Sequence, residues 1–419
     1  MTSPVWHPFT QHGLEEVIPL VTRAEGAAIY TADGRRIIDA ISSWWVTTHG
    51  HCHPRIVAAI AQQVEKLDQI IFAGHTHEQA ESLARGLLEI VPKPLAHVFF
   101  SDSGSTSVEV ALKMALGYWR GRGEPRSRIV VMQHSYHGDT IGGMSVGERG
   151  VFNQPYQPLM FDVARVPFPA KGLEQATLDT LESICRDEAP AAFIVEPLVL
   201  GAGGMLIYSP AILREMREIC ARYGVLFIAD EVMTGWGRTG TLLACEQADI
   251  APDILCLSKG ITGGSLPLAV TIATRPIFEA HRSRNRADMF FHSSSYTANP
   301  IACAAANANL AIWREEPVTA RIASLCERQQ RHLDAVADQP GVMNPRRIGT
   351  ITAFELADSN GDYLSEIGPK LSALFKAADL LVRPLGNTIY TMPPYCIGDD
   401  DLALVYDGIA EAVSRASCG

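Results

Sequence analysis

The sequence predicts an α/β protein in which helices cover both faces of a parallel sheet. Apolar runs without polar interruptions, which are typical of fully buried strands, alternate with helical patterns through the middle of the chain. Over the last hundred residues the pattern changes to helices separated by short strand candidates, which predicts a smaller α+β unit.

The predicted α/β unit begins with a helix and a strand. Apolar residues recur every three or four positions over residues 56–71, which predicts an amphipathic helix after Pro54. Residues 97–100 are a short strand candidate, and the helix after them carries an apolar stripe from Val108 to Trp119. Four further buried-strand candidates follow at residues 129–132, 192–195, 225–229 and 254–257.

The helix that precedes the strand at residues 225–229 has clear boundaries. Ser209 suits the N-cap, Pro210 the first helical position and Gly224 the C-terminal end. Helices that lead into continuous apolar strands indicate a parallel sheet, whose ligands bind beyond the carboxyl ends of its strands. The residues that follow the predicted strands are therefore the first candidates for a functional site.

The predicted α+β unit closes the chain. Its helices are expected at residues 299–314, 318–336, 369–379 and 400–416, and its strands at residues 349–356, 380–383 and 388–392. The sequence shows no repeat, low-complexity tract or clear flexible linker.

Composition and charge exclude several functions. The 419 residues carry a net charge of −11, which argues against sequence-independent nucleic-acid binding, because that requires a basic surface. No apolar run approaches the roughly 18–20 residues needed to cross a bilayer. Met1 to Thr10 lack a basic region followed by an apolar stretch, so no signal peptide is expected. Nine scattered cysteines indicate reduced thiols in a cytoplasmic protein.

Two residues with distinctive chemistry follow predicted strands. Asp230 directly follows the strand at residues 225–229, and Lys259 follows Ser258 after the strand at residues 254–257. A desolvated lysine is what Schiff-base chemistry requires, and a carboxylate beside a pyridine nitrogen keeps that nitrogen protonated. Taken singly, a surface lysine and a helix-capping aspartate are the alternative interpretation.

A small-residue segment and a tyrosine complete the candidates. Residues 102–107 read Asp-Ser-Gly-Ser-Thr-Ser between a strand and a helix N-terminus, which suits an anion, although such segments are more often simple caps. The chain has no G-x-x-x-x-G-K-[ST] motif, which disfavours nucleoside triphosphate hydrolysis. Tyr136 follows another strand, where its ring could stack on a planar cofactor or belong to the core.

Six motifs, taken together, resemble a known family. In chain order they are Ser103-Gly-Ser105, Tyr136-His-Gly138, Glu196-Pro197, Ala229-Asp-Glu231, Gly235-x-Gly-Arg-Thr-Gly240 and Ser258-Lys-Gly260. The chain is similar to the class III, fold-type I aminotransferases that use pyridoxal 5'-phosphate. The resemblance implies a mostly parallel seven-stranded sheet in a large domain over residues 42–315, and a small α+β domain formed by residues 1–41 and 316–419.

The same resemblance implies roles for particular residues. Lys259 would attach the cofactor and move the substrate proton. The implied cofactor-binding residues are Gly104 and Ser105 at the phosphate, Tyr136 and Val232 on the two ring faces, and Asp230 at the ring nitrogen. Ser293, Ser294 and Ser295 fall where the family closes the phosphate site from the partner subunit, which implies a homodimer with shared active sites.

A second set of motifs resembles the branch of this family that acts in biotin synthesis. They are Trp6-His-Pro8, Ser42-Ser-Trp-Trp45, His51-x-His-Pro54, Arg383-Pro384 and Met392-Pro-Pro-Tyr395. This resemblance implies 8-amino-7-oxononanoate and S-adenosylmethionine as substrates. The implied substrate-binding residues are Phe9, Trp44, Trp45, Tyr136, Ser293 and Arg383, with Arg383 pairing with a carboxylate.

Departures from the family pattern keep other functions open. Ser293-Ser-Ser295 stands where the family usually has Gly-Pro-Thr, and Phe9 stands where it usually has tyrosine. The alternatives are an ω-amino acid:pyruvate or lysine-using transaminase and, in another class, a non-catalytic cofactor-binding module. Many class III relatives that use glutamate as the donor carry a glutamate in the loop after the Glu-Pro motif. The corresponding loop here, at residues 201–204, contains no acid, which favours a donor other than glutamate. No metal site is predicted, because the histidines of residues 49–53 form only one cluster.

Overall fold

The computed structural model describes residues 3–124, 126–357 and 365–417. Within them the strands are, in chain order, β1 (Val21–Glu25), β2 (Ala28–Thr31), β3 (Arg36–Asp39), β4 (Leu95–Ser101), β5 (Ile129–Met132), β6 (Ala164–Val166), β7 (Ala192–Val195), β8 (Val199–Leu200), β9 (Leu206–Ile207), β10 (Leu226–Asp230), β11 (Ile254–Leu257), β12 (Ala269–Thr274), β13 (Val342–Ile348), β14 (Ile351–Leu356), β15 (Leu380–Leu381) and β16 (Thr388–Thr391).

The helices surround these strands. In chain order they are α1 (Ser42–Trp45), α2 (Pro54–Val64), α3 (Glu78–Ile90), α4 (Gly104–Gly121), α5 (Ile141–Ser145), α6 (Glu174–Glu188), α7 (Pro210–Arg222), α8 (Cys245–Ala248), α9 (Arg275–Ala280), α10 (Pro300–Glu315), α11 (Val318–Ala337), α12 (Ile367–Ala377) and α13 (Asp399–Ser417). None of them, within the described ranges, has the length and apolarity that crossing a membrane requires.

A seven-stranded sheet forms the centre of the molecule, in the order β4-β12-β11-β10-β7-β5-β6. The strands from β11 to β6 pair in parallel, whereas β12 pairs antiparallel with both β11 and β4. Every residue of β5, β7, β10 and β11 is buried, as their continuous apolar sequences predict. The predicted α/β fold with a mostly parallel seven-stranded sheet is confirmed.

Side chains from this sheet contribute to a separate hydrophobic cluster on each face. Phe193 and Phe227 belong to one cluster, and the adjacent Ile194 and Ile228 belong to the other. This alternation follows from the two-residue period of a strand. Helices cover both faces, so the polar groups that can serve a ligand lie at the strand ends.

Elements from both ends of the chain meet in a smaller sheet of the order β1-β2-β3-β15, in which β15 pairs in parallel with β3. A further sheet, of the order β13-β14-β16, comes from the C-terminal part alone. A hydrophobic cluster that contains Ile38, Ile322, Phe375 and Val405 joins these elements. The domain boundaries at residues 41/42 and 315/316 stay a prediction.

The helix predicted over residues 56–71 is shorter in the structure, because α2 ends at Val64. The buried side chain of Gln63 donates a hydrogen bond to the Leu67 carbonyl at 2.9 Å, and Leu67 already lies beyond the helix. The apolar periodicity therefore continues to residue 71, although the helix ends at Val64.

Candidate active site

A cavity of about 140 Å³ lies at the carboxyl ends of the central strands. Seven of the predicted site residues line it, namely Trp45, Gly104, Ser105, Tyr136, Asp230, Val232 and Lys259. Its other lining residues are His137, Gly138, Glu196 and Met233. The fold therefore brings together residues that are far apart in the sequence, at the strand ends where the fold class places ligands.

Lys259 enters this cavity from the short 3₁₀ turn that follows β11. Its backbone has a left-handed φ of 45°, and its Nζ lies 4.9 Å from the centre of the Trp45 ring. Burial lowers the pKa of the Lys259 amine to about 8, further lowered by the positive charge of Arg238 and opposed by the carboxylates of Asp230 and Glu196. A substantial fraction of the amine is therefore neutral, and nucleophilic, near physiological pH.

Asp230 ends β10 with its side chain buried. One carboxylate oxygen lies 2.7 Å from His137 Nδ1, and the other accepts a hydrogen bond from the Val232 amide at 3.1 Å. With Nδ1 protonated, both oxygens have donors, and each retains a lone pair for a further partner. Asp230 is thus held as an acceptor that faces the cavity.

The N-terminus of α4 forms another part of the wall. Ser103 caps this helix by accepting the Thr106 amide at 3.2 Å, and α4 begins at Gly104. A Cβ atom at Gly104 would lie 2.6 Å from Val232 Cγ1, so this position has no room for a side chain. The exposed amides of the first helical turn, together with the Ser105 hydroxyl, suit an anion.

These residues fit pyridoxal phosphate. The cavity offers a partly neutral amine for an aldehyde, a fixed carboxylate for a ring nitrogen and a helix N-terminus for a phosphate. The absence of room for a Cβ at Gly104 shows how closely the backbone of α4 approaches the Val232 side chain that lines the same cavity. The roles assigned to the individual residues stay predictions.

Three predicted substrate-binding residues form a separate cluster. Arg383 Cζ lies 5.3 Å from the ring centre of Phe9 and 5.0 Å from that of Trp44, and the two rings meet edge to face at 5.4 Å. Arg383 is half-buried, and it makes no ion pair with any residue that the structure describes. A guanidinium framed by aromatic rings and without an acidic partner suits a carboxylate ligand.

The segment that carries Trp44 and Trp45 has an unusual backbone. Ser42, Ser43 and Trp45 have φ values of 54°, 63° and 66°, and each such conformation costs about 1–3 kcal/mol in a residue other than glycine. Asp39 stabilises the turn, because its carboxylate accepts the amides of Ile41 at 3.2 Å and Ser43 at 2.6 Å.

Arg238 holds the other end of this segment. Its buried guanidinium donates to the carbonyl oxygens of Trp45 at 3.4 Å and Thr47 at 3.0 Å. The Trp45 indole also donates to the Tyr390 hydroxyl at 2.9 Å. Trp45 beside Lys259 is therefore held by groups from two distant parts of the chain, with Arg238 at its backbone and Tyr390 at its indole.

The three serines predicted to close the phosphate site, Ser293, Ser294 and Ser295, do not line the cavity of their own chain. The Ser295 carbonyl accepts a hydrogen bond from Gln69 at 2.6 Å, and the Ser294 amide donates to Thr297 at 2.9 Å. Their contribution to the site of a partner subunit stays a prediction.

Several residues of the site have no role that the sequence predicts. His137, Glu196 and Arg238 lie within the family motifs, which is the signal that could have found them, whereas Asp39 and Met233 lie in none. Burial raises the pKa of the Glu196 carboxyl to about 7, with Asp230 raising it further and His137 opposing the rise.

The histidines of residues 49–53 have separate partners. His49 Nε2 lies 2.8 Å from Asn309 Oδ1, and His51 Nε2 lies 2.8 Å from Asp39 Oδ2. His53 Nε2 lies 3.7 Å from Glu316. These histidines thus connect the Trp44 segment and α2 to neighbouring elements.

Comparisons with known proteins cover nearly the whole chain. A family model described as aminotransferase class III matches residues 9–413. A relative from Synechococcus elongatus, named adenosylmethionine-8-amino-7-oxononanoate aminotransferase, is 47% identical over 98% of each chain. A relative of the same name from Geobacter sulfurreducens is 36% identical over 99% of this chain and 96% of its own.

Solved structures similar to this chain are also transaminases. The structure of a protein of that name from Methanocaldococcus jannaschii superposes with a TM-score of 0.94 at 31% identity, covering 98% of this chain and 97% of its own. An amine transaminase from an uncultivated Pseudomonas species, solved with pyridoxal phosphate bound, gives a TM-score of 0.90 at 32% identity over 99% of each chain. The family predicted from the motifs is confirmed, and the chain belongs to the class III aminotransferases.

Proposed function

We propose that this aminotransferase converts 8-amino-7-oxononanoate to 7,8-diaminononanoate in biotin synthesis, with S-adenosylmethionine as the amino donor. The observation that carries this proposal is the 47% identity, over 98% of both chains, to a relative named for these two compounds. The guanidinium of Arg383, framed by Phe9 and Trp44, supports it, because 8-amino-7-oxononanoate bears a carboxylate.

Pyridoxal phosphate is the cofactor of the reaction, and when bound it supplies an aldehyde and an electron-withdrawing ring. The α4 amides of Gly104 and Ser105 would hold the phosphate at the helix N-terminus. Asp230 would accept a hydrogen bond from the protonated ring nitrogen, and its donors His137 and Val232 keep the carboxylate oriented.

Lys259 performs the proton transfer. Its amine would hold the cofactor and, once displaced by the amino substrate, would move a proton from the substrate carbon to the cofactor. The pKa of about 8 suits this exchange, since base and conjugate acid coexist near neutral pH. The Trp45 ring lies 4.9 Å from the amine and limits the access of water.

Arg383 and its aromatic neighbours orient the acceptor. Its guanidinium binds the carboxylate of 8-amino-7-oxononanoate, which places the ketone towards the cavity that contains Lys259. Phe9 contributes a ring against Arg383 but no hydroxyl. Among the described residues Arg383 has no ion-pair partner, so the guanidinium is available to a carboxylate.

We also propose that the functional unit is a homodimer. In this arrangement Ser294 and Ser295 of each subunit complete the phosphate site of the other, and Ser293 borders its substrate pocket.

We propose a cytoplasmic location for the protein. The described cysteines are all free thiols, which suits a reducing compartment. Cys418 lies outside the described residues.

A donor and acceptor scan tests the proposed function. The purified protein, loaded with pyridoxal phosphate, is mixed separately with S-adenosylmethionine, lysine and β-alanine while the cofactor absorbance is recorded. S-adenosylmethionine is expected to convert the cofactor, and 8-amino-7-oxononanoate to restore it with formation of 7,8-diaminononanoate. Conversion by β-alanine without any response to the oxononanoate would refute the assignment.

The second candidate is an amine or ω-amino acid transaminase. The similarity to the amine transaminase from Pseudomonas, at 32% identity and a TM-score of 0.90, favours it. The same scan separates the two candidates, because this alternative requires conversion by β-alanine or a simple amine and turnover with pyruvate. Growth of a biotin-requiring bacterium that expresses the chain, on medium without biotin, is expected only for the preferred function.

A further inference from the structure

Glu196 is a buried carboxyl group in the cavity wall that the mechanism above does not use. It follows β7, is 4% exposed and lines the cavity that contains Lys259 and Asp230. Its Oε1 accepts the amide of Tyr136 at 2.9 Å, and its Oε2 accepts the amide of Gly201 at 3.1 Å. One side chain therefore connects two loops.

One of these loops lines the cavity, and the other packs against residues that line it. The loop at residues 134–139 carries Tyr136, which lines the cavity. The loop at residues 201–204 packs behind Trp45, because a Cβ atom at Gly201 would lie 3.2 Å from the Trp45 ring and 2.9 Å from Met233. The shape of the cavity thus depends on where each loop is held.

The two loops also touch each other. Gly203 approaches the His134 carbonyl so closely that a side chain at Gly203 would collide with it. A second cavity, of about 360 Å³, is lined by Ala202 and Gly203 and shares Tyr136, His137 and Gly138 with the first. The contact between the loops therefore lies beside the wall that the two cavities share.

We propose that Glu196 is a positioning residue for the amino transfer, which clamps the Tyr136 and Gly201 loops to one carboxylate and so fixes the boundary between the two cavities. Its role in catalysis rests on the proposed function, whereas the clamp itself does not. The ionised form of Glu196 is suited to this position, because it accepts hydrogen bonds on both oxygens without offering a donor. Two titratable neighbours influence the pKa of Glu196, which His137 lowers and Asp230 raises. The carboxylate of Glu196 in turn raises the pKa of Lys259.

The clamp gives Glu196→Gln a specific consequence. Glutamine keeps the volume but has a single acceptor oxygen, so its amide nitrogen would face one of the two backbone N–H groups. The shorter contact, to Tyr136, is expected to be kept, and the Gly201 amide is expected to lose its acceptor. Glu196→Ala removes both acceptors.

Hydrogen–deuterium exchange of the full-length protein, with and without bound cofactor, tests the clamp. In Glu196→Gln, exchange in the peptide that covers residues 199–205 is expected to rise at least about tenfold, whereas the peptide covering residues 134–139 stays protected. In Glu196→Ala both peptides are expected to exchange faster. Glu196→Asp, which keeps the charge but is one methylene shorter, serves as the second variant and is also expected to free the Gly201 amide.

Asp253→Asn is the matched control. Asp253 precedes β11 at the opposite end of the same sheet, where it accepts the Phe227 amide at 2.8 Å and pairs with Arg217 at 3.2 Å. This variant also loses a carboxylate that binds a backbone amide, but it is expected to leave both peptides as protected as in the wild type. Unchanged exchange in all Glu196 variants, or the same increase in Asp253→Asn, would overturn the proposal.

Kinetics test the consequence for the reaction. Glu196→Gln is expected to raise the KM of donor and acceptor at least about tenfold, with a smaller change in kcat, because the cavity boundary is loosened while Lys259 and Asp230 stay in place. A variant with freed loops and unchanged KM values would refute the positioning role. If the wild type does not aminate the oxononanoate, the proposed function fails, and the exchange experiment still decides whether the clamp exists.

Discussion

His137 Nδ1 lies 2.7 Å from Asp230 Oδ2, with both side chains buried in the wall of the cavity. The histidine follows β5 and the aspartate ends β10, so two strands of the central sheet bring the pair together. The imidazole meets one oxygen of Asp230 and the Val232 amide meets the other at 3.1 Å, so groups from two elements fix the orientation of this carboxylate.

Replacement of the His137 imidazole is expected to weaken cofactor binding. In His137→Phe, Asp230 keeps only the Val232 amide as a donor, and loss of one hydrogen bond to a charged group corresponds to about tenfold or more in affinity. The measurement is the equilibrium dissociation constant for pyridoxal phosphate, followed by absorbance. His137→Asn, which retains a donor, is the control and is expected to lose less; equal affinity in the wild type and His137→Phe would contradict the prediction.

Arg383→Met is expected to impair the use of 8-amino-7-oxononanoate selectively. Arg383 has aromatic neighbours and, among the described residues, no ion-pair partner, so its free charge is available to a carboxylate. Loss of a charge-assisted pair corresponds to roughly 30-fold or more in kcat/KM for that acceptor. The cofactor affinity measured in parallel is expected to be unchanged. A uniform loss of cofactor and acceptor binding would show instead that Arg383 supports the local structure.

Phe9→Tyr is expected to improve acceptor binding. Phe9 lies in contact with Trp44 and below the guanidinium of Arg383, where a phenolic hydroxyl would add one hydrogen-bonding group beside the proposed carboxylate site. One such bond contributes about 1 kcal/mol, which corresponds to roughly a fivefold lower KM. Steady-state kinetics with 8-amino-7-oxononanoate measure this effect. A KM that is unchanged or raised would show that Phe9 has another role.

The stability of the cofactor-free protein is expected to depend on pH through Lys259. Its pKa is lowered from 10.5 to about 8 in the folded state, so between these values the unfolded state binds more protons and stability rises with pH. Below about pH 8 the full penalty applies, and above pH 10.5 it vanishes. The difference in unfolding free energy between the wild type and Lys259→Met is therefore expected to change by about 3 kcal/mol across this window. Denaturant titrations of both proteins measure it, and a constant difference would refute the shift.

The central sheet was predictable from the sequence because its parallel strands are buried on both faces. The candidates at residues 129–132, 192–195 and 254–257 coincide with β5, β7 and β11. In contrast, β1 is mostly exposed and lacks a continuous apolar run. Thr271 and Thr274 interrupt the apolar pattern of β12, although both are buried. Strands are hard to recognise where burial and apolar sequence do not coincide.

The site residues that could be predicted are those whose place in the fold follows from the strand next to them in the sequence. Asp230 and Lys259 follow buried strands, so a strand prediction is enough to place them at the same edge of the sheet. The role of Arg238 depends instead on the Thr47 carbonyl, 191 residues away, and Trp45 depends on Tyr390, 345 residues away. No local pattern contains such contacts.

Gly104 offers a prediction that a second substitution can reverse. In Gly104→Ala the added Cβ would lie 2.6 Å from Val232 Cγ1, a separation that packed carbon atoms do not adopt, so the start of α4 or Val232 must move. The proposed phosphate site is at this helix N-terminus, and we expect the affinity for pyridoxal phosphate to fall at least about tenfold, because anion binding there depends on the position of the backbone amides. Val232→Ala removes the methyl groups that collide with the added Cβ. The double variant is therefore expected to recover most of the affinity, and Val232→Ala alone is the control for the loss of packing on the ring. Failure of the double variant to recover would show that glycine is needed at residue 104 for its backbone rather than for this contact.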